Sequence, residues 1–269
     1  VQAPFDVLFE SDLPSYSLPD ELSRLYGRLG FADRVVYSNF VSSLDGVAAL
    51  GSGVSAGSVI SGKNRADRFL MGLLRACADA VVIGAGTMRA TPGHLWTPAH
   101  VFPDLAAEFA VLRQTLGLAA EPRLVLLTAT GDLDFKHPAL VNGAIVLTTR
   151  AVAQQIGSRL PPACEVMALG AGKTLDIKRA FGELPKMGFD VVLTEGGPTL
   201  MGELVKARLV DEMFLTLAPV LAGRNKERRL GIVEGVELLP KVPVWSRLLS
   251  ARRHGDFLFL RYGLPRPSL

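Results

Sequence analysis

Phe189-Asp190-Val191-Val192-Leu193-Thr194-Glu195-Gly196-Gly197-Pro198-Thr199-Leu200 is the stretch that decides the fold. Its first half is an apolar run of strand character. Its second half passes through two glycines and a proline into an amphipathic segment. Glycine lets the backbone reach positive φ and lets a ligand come close. Pro198 suits the first helical position, where its missing N–H costs nothing. The N–H groups left free at such a helix start attract an anion such as a phosphate. This composition predicts a strand–turn–helix that binds a nucleotide.

Outward from that stretch the pattern repeats. Strands are expected at 35–41, 80–83, 123–128, 144–148, 165–169, 190–194, 211–217 and 256–262. Helices are expected near 20–29, then at 64–77, 104–116, 152–158, 176–186 and 198–208. The helix at 64–77 carries apolar spacing at Phe69, Leu70, Leu73 and Leu74. Strands separated by helices indicate an α/β fold with a mostly parallel central sheet covered on both faces. The last segments lack an intervening helix, which predicts an antiparallel strand at the C-terminus. Residues 1–33, with Pro4, Pro14 and Pro19, read as an N-terminal arm, and 34–269 as one domain.

Composition narrows the function classes. A chain of 269 residues that is 49% hydrophobic can bury a large core. The net charge of +3 comes from scattered residues, densest at Lys226-Glu227-Arg228-Arg229 and Arg252-Arg253, without the stripe that nucleic acid requires. No apolar run reaches the roughly 18 residues of a membrane helix, and no signal peptide opens the chain. Cys77 and Cys164 lie far apart beside apolar segments and read as free thiols of a cytoplasmic protein. Four scattered histidines offer no zinc site, so no metal is expected.

Gly84-Ala85-Gly86-Thr87-Met88-Arg89 follows the strand at 80–83 and supplies a second glycine-rich strand end. Arg89 stands where the third glycine of a dinucleotide fingerprint belongs, so taken alone it reads equally as a tight turn. In open α/β sheets ligands bind where loops from neighbouring strand ends meet. Two such ends on one rim would grip the phosphates of a single dinucleotide, in a cleft between the ends of strands 35–41, 80–83 and 190–194.

Asp45 reads either as part of an Asp-Gly turn or as a polar contact and proton relay. Glu195, a carboxylate at the buried end of an apolar strand, is costly unless paired. It reads as a substrate-binding or proton-handling group, or as a helix N-terminal charge. Arg75 is either a helix C-terminal cation or a clamp for a substrate phosphate or carboxylate. Asp45 and Glu195 are therefore the candidate catalytic residues. His94 and His100 sit in a proline-containing loop, either solvated or facing a substrate.

Four segments in this order resemble the reductase domain of bacterial riboflavin biosynthesis, the 5-amino-6-(5-phosphoribosylamino)uracil reductase family. They are Ser42-Ser43-Leu44-Asp45-Gly46, Leu74-Arg75-Ala76 leading to Asp79 through Thr87, Thr194 through Leu200, and Leu209-Val210-Asp211-Glu212 running to Ala218 through Gly223. The resemblance covers roughly residues 34–263. It implies a dihydrofolate-reductase-like fold, NADPH as cofactor, a small heterocyclic substrate and a homodimer. It places Thr87 and Gly197, Pro198, Thr199 and Leu200 at the cofactor, and Arg75, Leu95 and Glu195 at the substrate; Gly84, Gly86 and Gly196 of the same two bends are further cofactor candidates, and Arg89 either contacts a 2′-phosphate or points into solvent. The chain departs from the pattern at Thr91-Pro92, where relatives carry an Asp, at Pro98, where they carry an Arg, and at Val59-Ile60-Ser61, where they carry Trp-Ile-Thr. Arg65, Arg68 and Arg89 are candidates to replace the missing arginine. The alternatives are a pterin reductase of dihydrofolate reductase type and a non-catalytic NADP-binding paralogue.

Overall fold

The computed structural model describes residues 2–51, 55–224 and 229–265, so of the basic group at 226–229 only Arg229 is among them. The first half of the chain runs β1 (Asp6–Glu10), α1 (Asp20–Tyr26), β2 (Val35–Ser42), α2 (Ala56–Ile60), α3 (Arg65–Ala76), β3 (Ala80–Gly84) and α4 (Ala85–Ala90). It continues through α5 (Pro98–Val101), α6 (Ala106–Thr115), β4 (Arg123–Leu127), α7 (Pro138–Val141), β5 (Ile145–Thr148) and α8 (Arg150–Ile156). The remainder is β6 (Glu165–Ala168), α9 (Ile177–Glu183), β7 (Val191–Thr194), α10 (Pro198–Lys206), β8 (Glu212–Leu217), β9 (Arg247–His254) and β10 (Phe257–Gly263).

Ten strands form one sheet in the order β1-β9-β10-β8-β2-β7-β3-β4-β5-β6. From β8 through β6 every neighbouring pair is parallel. The pairs β8–β10, β10–β9 and β9–β1 are antiparallel. This is the expected α/β arrangement with a mostly parallel central sheet, and its antiparallel part is larger than the single C-terminal strand foreseen.

Strand parity sorts the core onto two faces. In β3, Val81 and Ile83 join one apolar cluster with Phe69, Leu73 and Leu74 of α3 and with Phe109 and Leu112 of α6. Ala80 and Val82 point the other way, into a cluster with Ala180 and Phe181 of α9 and Met201 and Leu204 of α10. Alternation with period two is what a sheet covered on both faces requires of a strand. Each fully buried Leu or Phe contributes about 1.5–3 kcal/mol of transfer free energy.

The first 33 residues are laid into the same core: Phe5, Leu22, Leu25, Tyr26, Leu29 and Phe31 are all buried there. Their anchor is Arg252 of β9, itself buried. It donates to the Tyr26 and Arg28 carbonyls at 2.9 and 3.0 Å and pairs with Glu10 of β1.

Candidate active site

β7 lies between β2 and β3, with Thr194 in register with Val82 and Glu195 N donating to the Val82 carbonyl at 3.0 Å. Because the three strands are parallel, their carboxyl ends share one rim. A cleft of about 1180 Å³ opens there, lined by Gly84, Gly86, Thr87 and Arg89 from one bend and by Glu195 through Leu200 from the other. The two glycine-rich stretches are thus neighbours across one opening.

Of the two uses expected of these glycines, positive φ is not the one seen. None of Gly84, Gly86, Gly196 and Gly197 has a positive φ; Gly84 and Gly197 are extended N-caps at φ −93° and −70°. Gly196 makes way for the Leu200 side chain, which a Cβ would meet at 2.4 Å, whereas Gly84 and Gly197 provide room in front of the bends. A Cβ on Gly84 would meet nothing within 4 Å, and one on Gly197 would meet only Thr87 Oγ1, at 3.6 Å. The space in front of both bends is open to a ligand. At the start of α10, Pro198 has no N–H, and those of Thr199 and Leu200 have no preceding carbonyl to bind within the helix.

Arg75 and Glu195 are brought together. Arg75 Nε and Nη2 donate to Glu195 Oε1 and Oε2 at 3.0 and 2.6 Å, with the arginine side chain 1% and the glutamate 9% exposed. The remaining donors reach the carbonyls of Leu95 and Thr97 at 3.2 and 3.3 Å and His94 Nε2 at 3.0 Å. All five guanidinium N–H groups are therefore spent within the protein. Since an arginine cannot accept, His94 Nε2 is the acceptor, which fixes the neutral imidazole with its proton on Nδ1. Burial, reinforced by the Arg75 charge, holds the His94 pKa down to about 3.

Leu95 does not line the cleft; its carbonyl is one of the Arg75 acceptors. Asp45 does not line it either. The Asp45 carboxylate accepts from Ser43 Oγ at 2.6 Å and from the Ala222 and Gly223 amides at 3.0 and 2.9 Å. These bonds, that from Ser43 first, lower its pKa to about 2. It ties the turn after β2 to the segment after β8. Arg89 lines the cleft, half-exposed, and meets Asp132 through its carbonyl at 2.7 Å and its carboxylate at 3.2 Å. Of the other arginines considered, Arg65 is paired with Asp104 at 2.7 Å, whereas Arg68 lines the cleft and is exposed.

Asp67 is a cleft residue that the sequence reading did not single out. Asn64 caps α3 by accepting from the Ala66 and Asp67 amides at 2.9 and 3.2 Å. That start sets Asp67, Met71 and Arg75 at i, i+4 and i+8, one stripe of the helix, and all three line the cleft. Asp67 is only 5% exposed. Burial raises its pKa to about 6, against the lowering influence of the Thr216 and Ser61 hydroxyls. The signal was present in the helical spacing, because Asp67 shares its stripe with Arg75.

Among the described residues no group of three or more His, Cys, Asp or Glu could hold a metal, and no helix is long and apolar enough to cross a membrane.

The fold is one that solved structures share. A pyrimidine reductase-like protein from Corynebacterium diphtheriae superposes with a TM-score of 0.71 at 23% identity, over 91% of this chain and 98% of that one. Acinetobacter baumannii RibD gives 0.67 at 22% identity, over 87% of this chain and 58% of that one. Residues 34–247 match the model of the RibD C-terminal domain, and the chain belongs to that family. It is 28% identical over 224 residues to the riboflavin biosynthesis protein RibD of Haemophilus influenzae, covering 82% of this chain and 56% of that protein. It therefore spans about half of that relative's length. It is also 23% identical over 216 residues to the 2,5-diamino-6-ribosylamino-4(3H)-pyrimidinone 5′-phosphate reductase of Aquifex aeolicus, covering 80% and 88%.

Proposed function

We propose that this chain is an NADPH-dependent reductase of a ribosylaminopyrimidine intermediate of riboflavin biosynthesis. The observation that carries the proposal is the juxtaposition of two open glycine bends, at Gly84–Thr87 and Gly196–Leu200, on neighbouring parallel strand ends of one cleft. The family membership supports the same reading.

The residues present fit a dinucleotide. Thr87 and the Gly197–Leu200 turn hold the diphosphate through main-chain donors that the helix leaves unused. Arg89, whose exposed pairing with Asp132 is weak enough to rearrange, meets the 2′-phosphate. When bound, the nicotinamide supplies the hydride, delivered to C1′ of the open ribosylamino chain.

Arg75 holds Glu195 fixed through both carboxylate oxygens, so Glu195 acts on the substrate as a hydrogen-bond acceptor. Arg75 is its positioning residue and also pins the 94–97 loop. Asp45 braces the rim, and the proton that completes the reduction comes from water in the cleft. Catalysis then rests on positioning, while the cofactor carries the difficult chemistry. Free Cys77 and Cys164 fit a cytosolic location, and the family resemblance supports a homodimer.

The test is an NADPH-oxidation assay with the ribosylaminopyrimidine phosphates and, separately, with dihydrofolate. Consumption of NADPH with a pyrimidine alone is the expected result. Turnover of dihydrofolate alone would make the chain a pterin reductase. Quenching of NADPH fluorescence without consumption would make it a binder.

A further inference from the structure

We infer that Gly202, midway along α10, positions a wall for the nicotinamide half of the cofactor by letting residues 229–234 lie directly on the helix. The inference rests on the reductase reading above and assigns a positioning residue to the same cleft.

Glycine inside a helix is unfavourable relative to alanine, so a glycine there marks a close approach. Gly202 is buried, and its φ is not positive. What it makes way for is main chain. A Cβ on Gly202 would overlap the Glu234 carbonyl oxygen and lie 3.0 and 3.3 Å from that residue's carbonyl carbon and nitrogen. Glu234 N also donates to the carbonyl of Pro198, the first residue of α10, at 3.1 Å. The Glu234 carboxylate accepts from Gly231 N at 2.8 Å, which closes 231–234 into a turn. Just before that turn, Leu230 forms an antiparallel bridge with Ala49. Leu230 N donates to the Ala49 carbonyl at 3.0 Å, and Ala48 N and Ala49 N donate to the Leu230 carbonyl at 2.8 and 3.2 Å. Residues 229–234 are therefore a strap, anchored on α10 at one end and on the loop after β2 at the other.

The strap and that loop present Leu230, Ala48, Ala49 and Leu50 to the cleft. These residues come after β2 and β8, whereas Arg89, assigned above to the 2′-phosphate, comes after β3. In the sheet β7 separates β2 from β3. With the diphosphate between the two bends, the adenosine half leaves on the β3 side and the nicotinamide half runs toward the strap. An apolar wall with few polar groups suits a flat ring that must be kept from water. Because Glu234 is bonded to Pro198, next to the Thr199 and Leu200 N–H groups, wall and phosphate cradle share one support. Gly202 sets the distance between them.

The test titrates the whole chain with NADPH and, separately, with 2′,5′-ADP, which carries the 2′-phosphate but no nicotinamide. In Gly202→Ala the strap must move off the helix. NADPH should then bind at least ~10-fold more weakly, the worth of one buried leucine contact, while 2′,5′-ADP binds as in wild type. Leu230→Ala, which keeps the strap's main-chain anchors, should show the same split. If Gly202→Ala does not fold, Glu234→Ala, which removes the acceptor for Gly231 N, takes its place. A folded variant that keeps full NADPH affinity, or that loses both ligands equally, would overturn the assignment. Wild-type turnover separates this inference from the reading beneath it. A chain that oxidises NADPH with a pyrimidine, but whose variants lack the split, keeps the reductase reading and loses this one. A wild-type chain that does not bind NADPH loses both.

Discussion

Glu195, immediately after β7, and Arg75, in the last turn of α3, form a bidentate ion pair with contacts of 3.0 and 2.6 Å at the floor of the cleft. The two residues are 120 apart in sequence. Their pairing welds the helix to the strand rim, and the remaining Arg75 donors draw in the 94–97 loop. Removing one partner strands a buried charge, a loss typically of about 3–5 kcal/mol, whereas replacing both with apolar residues costs far less. In a double-mutant cycle, Arg75→Met and Glu195→Leu should each lower unfolding free energy by roughly that amount, and the double variant by clearly less than their sum. Additive losses would show that the pair does not act as a unit.

Gly197 separates cofactor binding from folding. Its φ of −70° suits any residue, and a Cβ there finds only Thr87 Oγ1 at an ordinary contact distance. Gly197→Val should therefore melt close to wild type while its side chain occupies the gap between the bends. NADPH affinity, read by fluorescence, should fall ~100-fold, equivalent to about 2.7 kcal/mol. Unchanged affinity would place the diphosphate elsewhere.

Asp67 makes stability depend on pH in a direction that can be worked out. Its pKa stands at about 6 in the folded chain against an ordinary 3.8, because burial outweighs the help of Thr216, Ser61 and Arg68, while the Glu195 charge adds to the rise. The folded state thus prefers the protonated acid. Stability from this group is complete below pH 4 and is lost as pH rises through 6. Asp67→Asn removes the penalty, so the variant should gain roughly 1–3 kcal/mol on wild type at pH 8 relative to the same comparison near pH 4. A pH-independent gap in denaturant titrations would contradict it.

Much of this architecture was legible because strand and helix periods are local properties. The parallel strands from β2 to β8 stand within a residue or two of their expected positions, since each is an apolar run bounded by a turn. β9 was missed because Arg247, Arg252 and Arg253 look like surface charge. Only the fold shows that Arg252 is buried and answered by Glu10 and the Tyr26 and Arg28 carbonyls. β1 was missed for a related reason: its five residues are mostly exposed and derive their strand from β9. Within the site, both glycine bends were found from turn chemistry. That Arg75 and Glu195 answer each other was not visible, because pairing between distant residues leaves no periodicity. Asp45 illustrates the limit from the other side, as the amides that occupy it come from Ala222 and Gly223.

A crystal structure of the chain soaked with NADPH tests the central claim most directly. The diphosphate should lie between the two bends, within hydrogen-bond distance of main-chain N–H groups near Thr87 and from Gly197 to Leu200, with the nicotinamide toward Glu195. Density for the cofactor on another face of the sheet, or a diphosphate held by side chains away from both bends, would contradict the account.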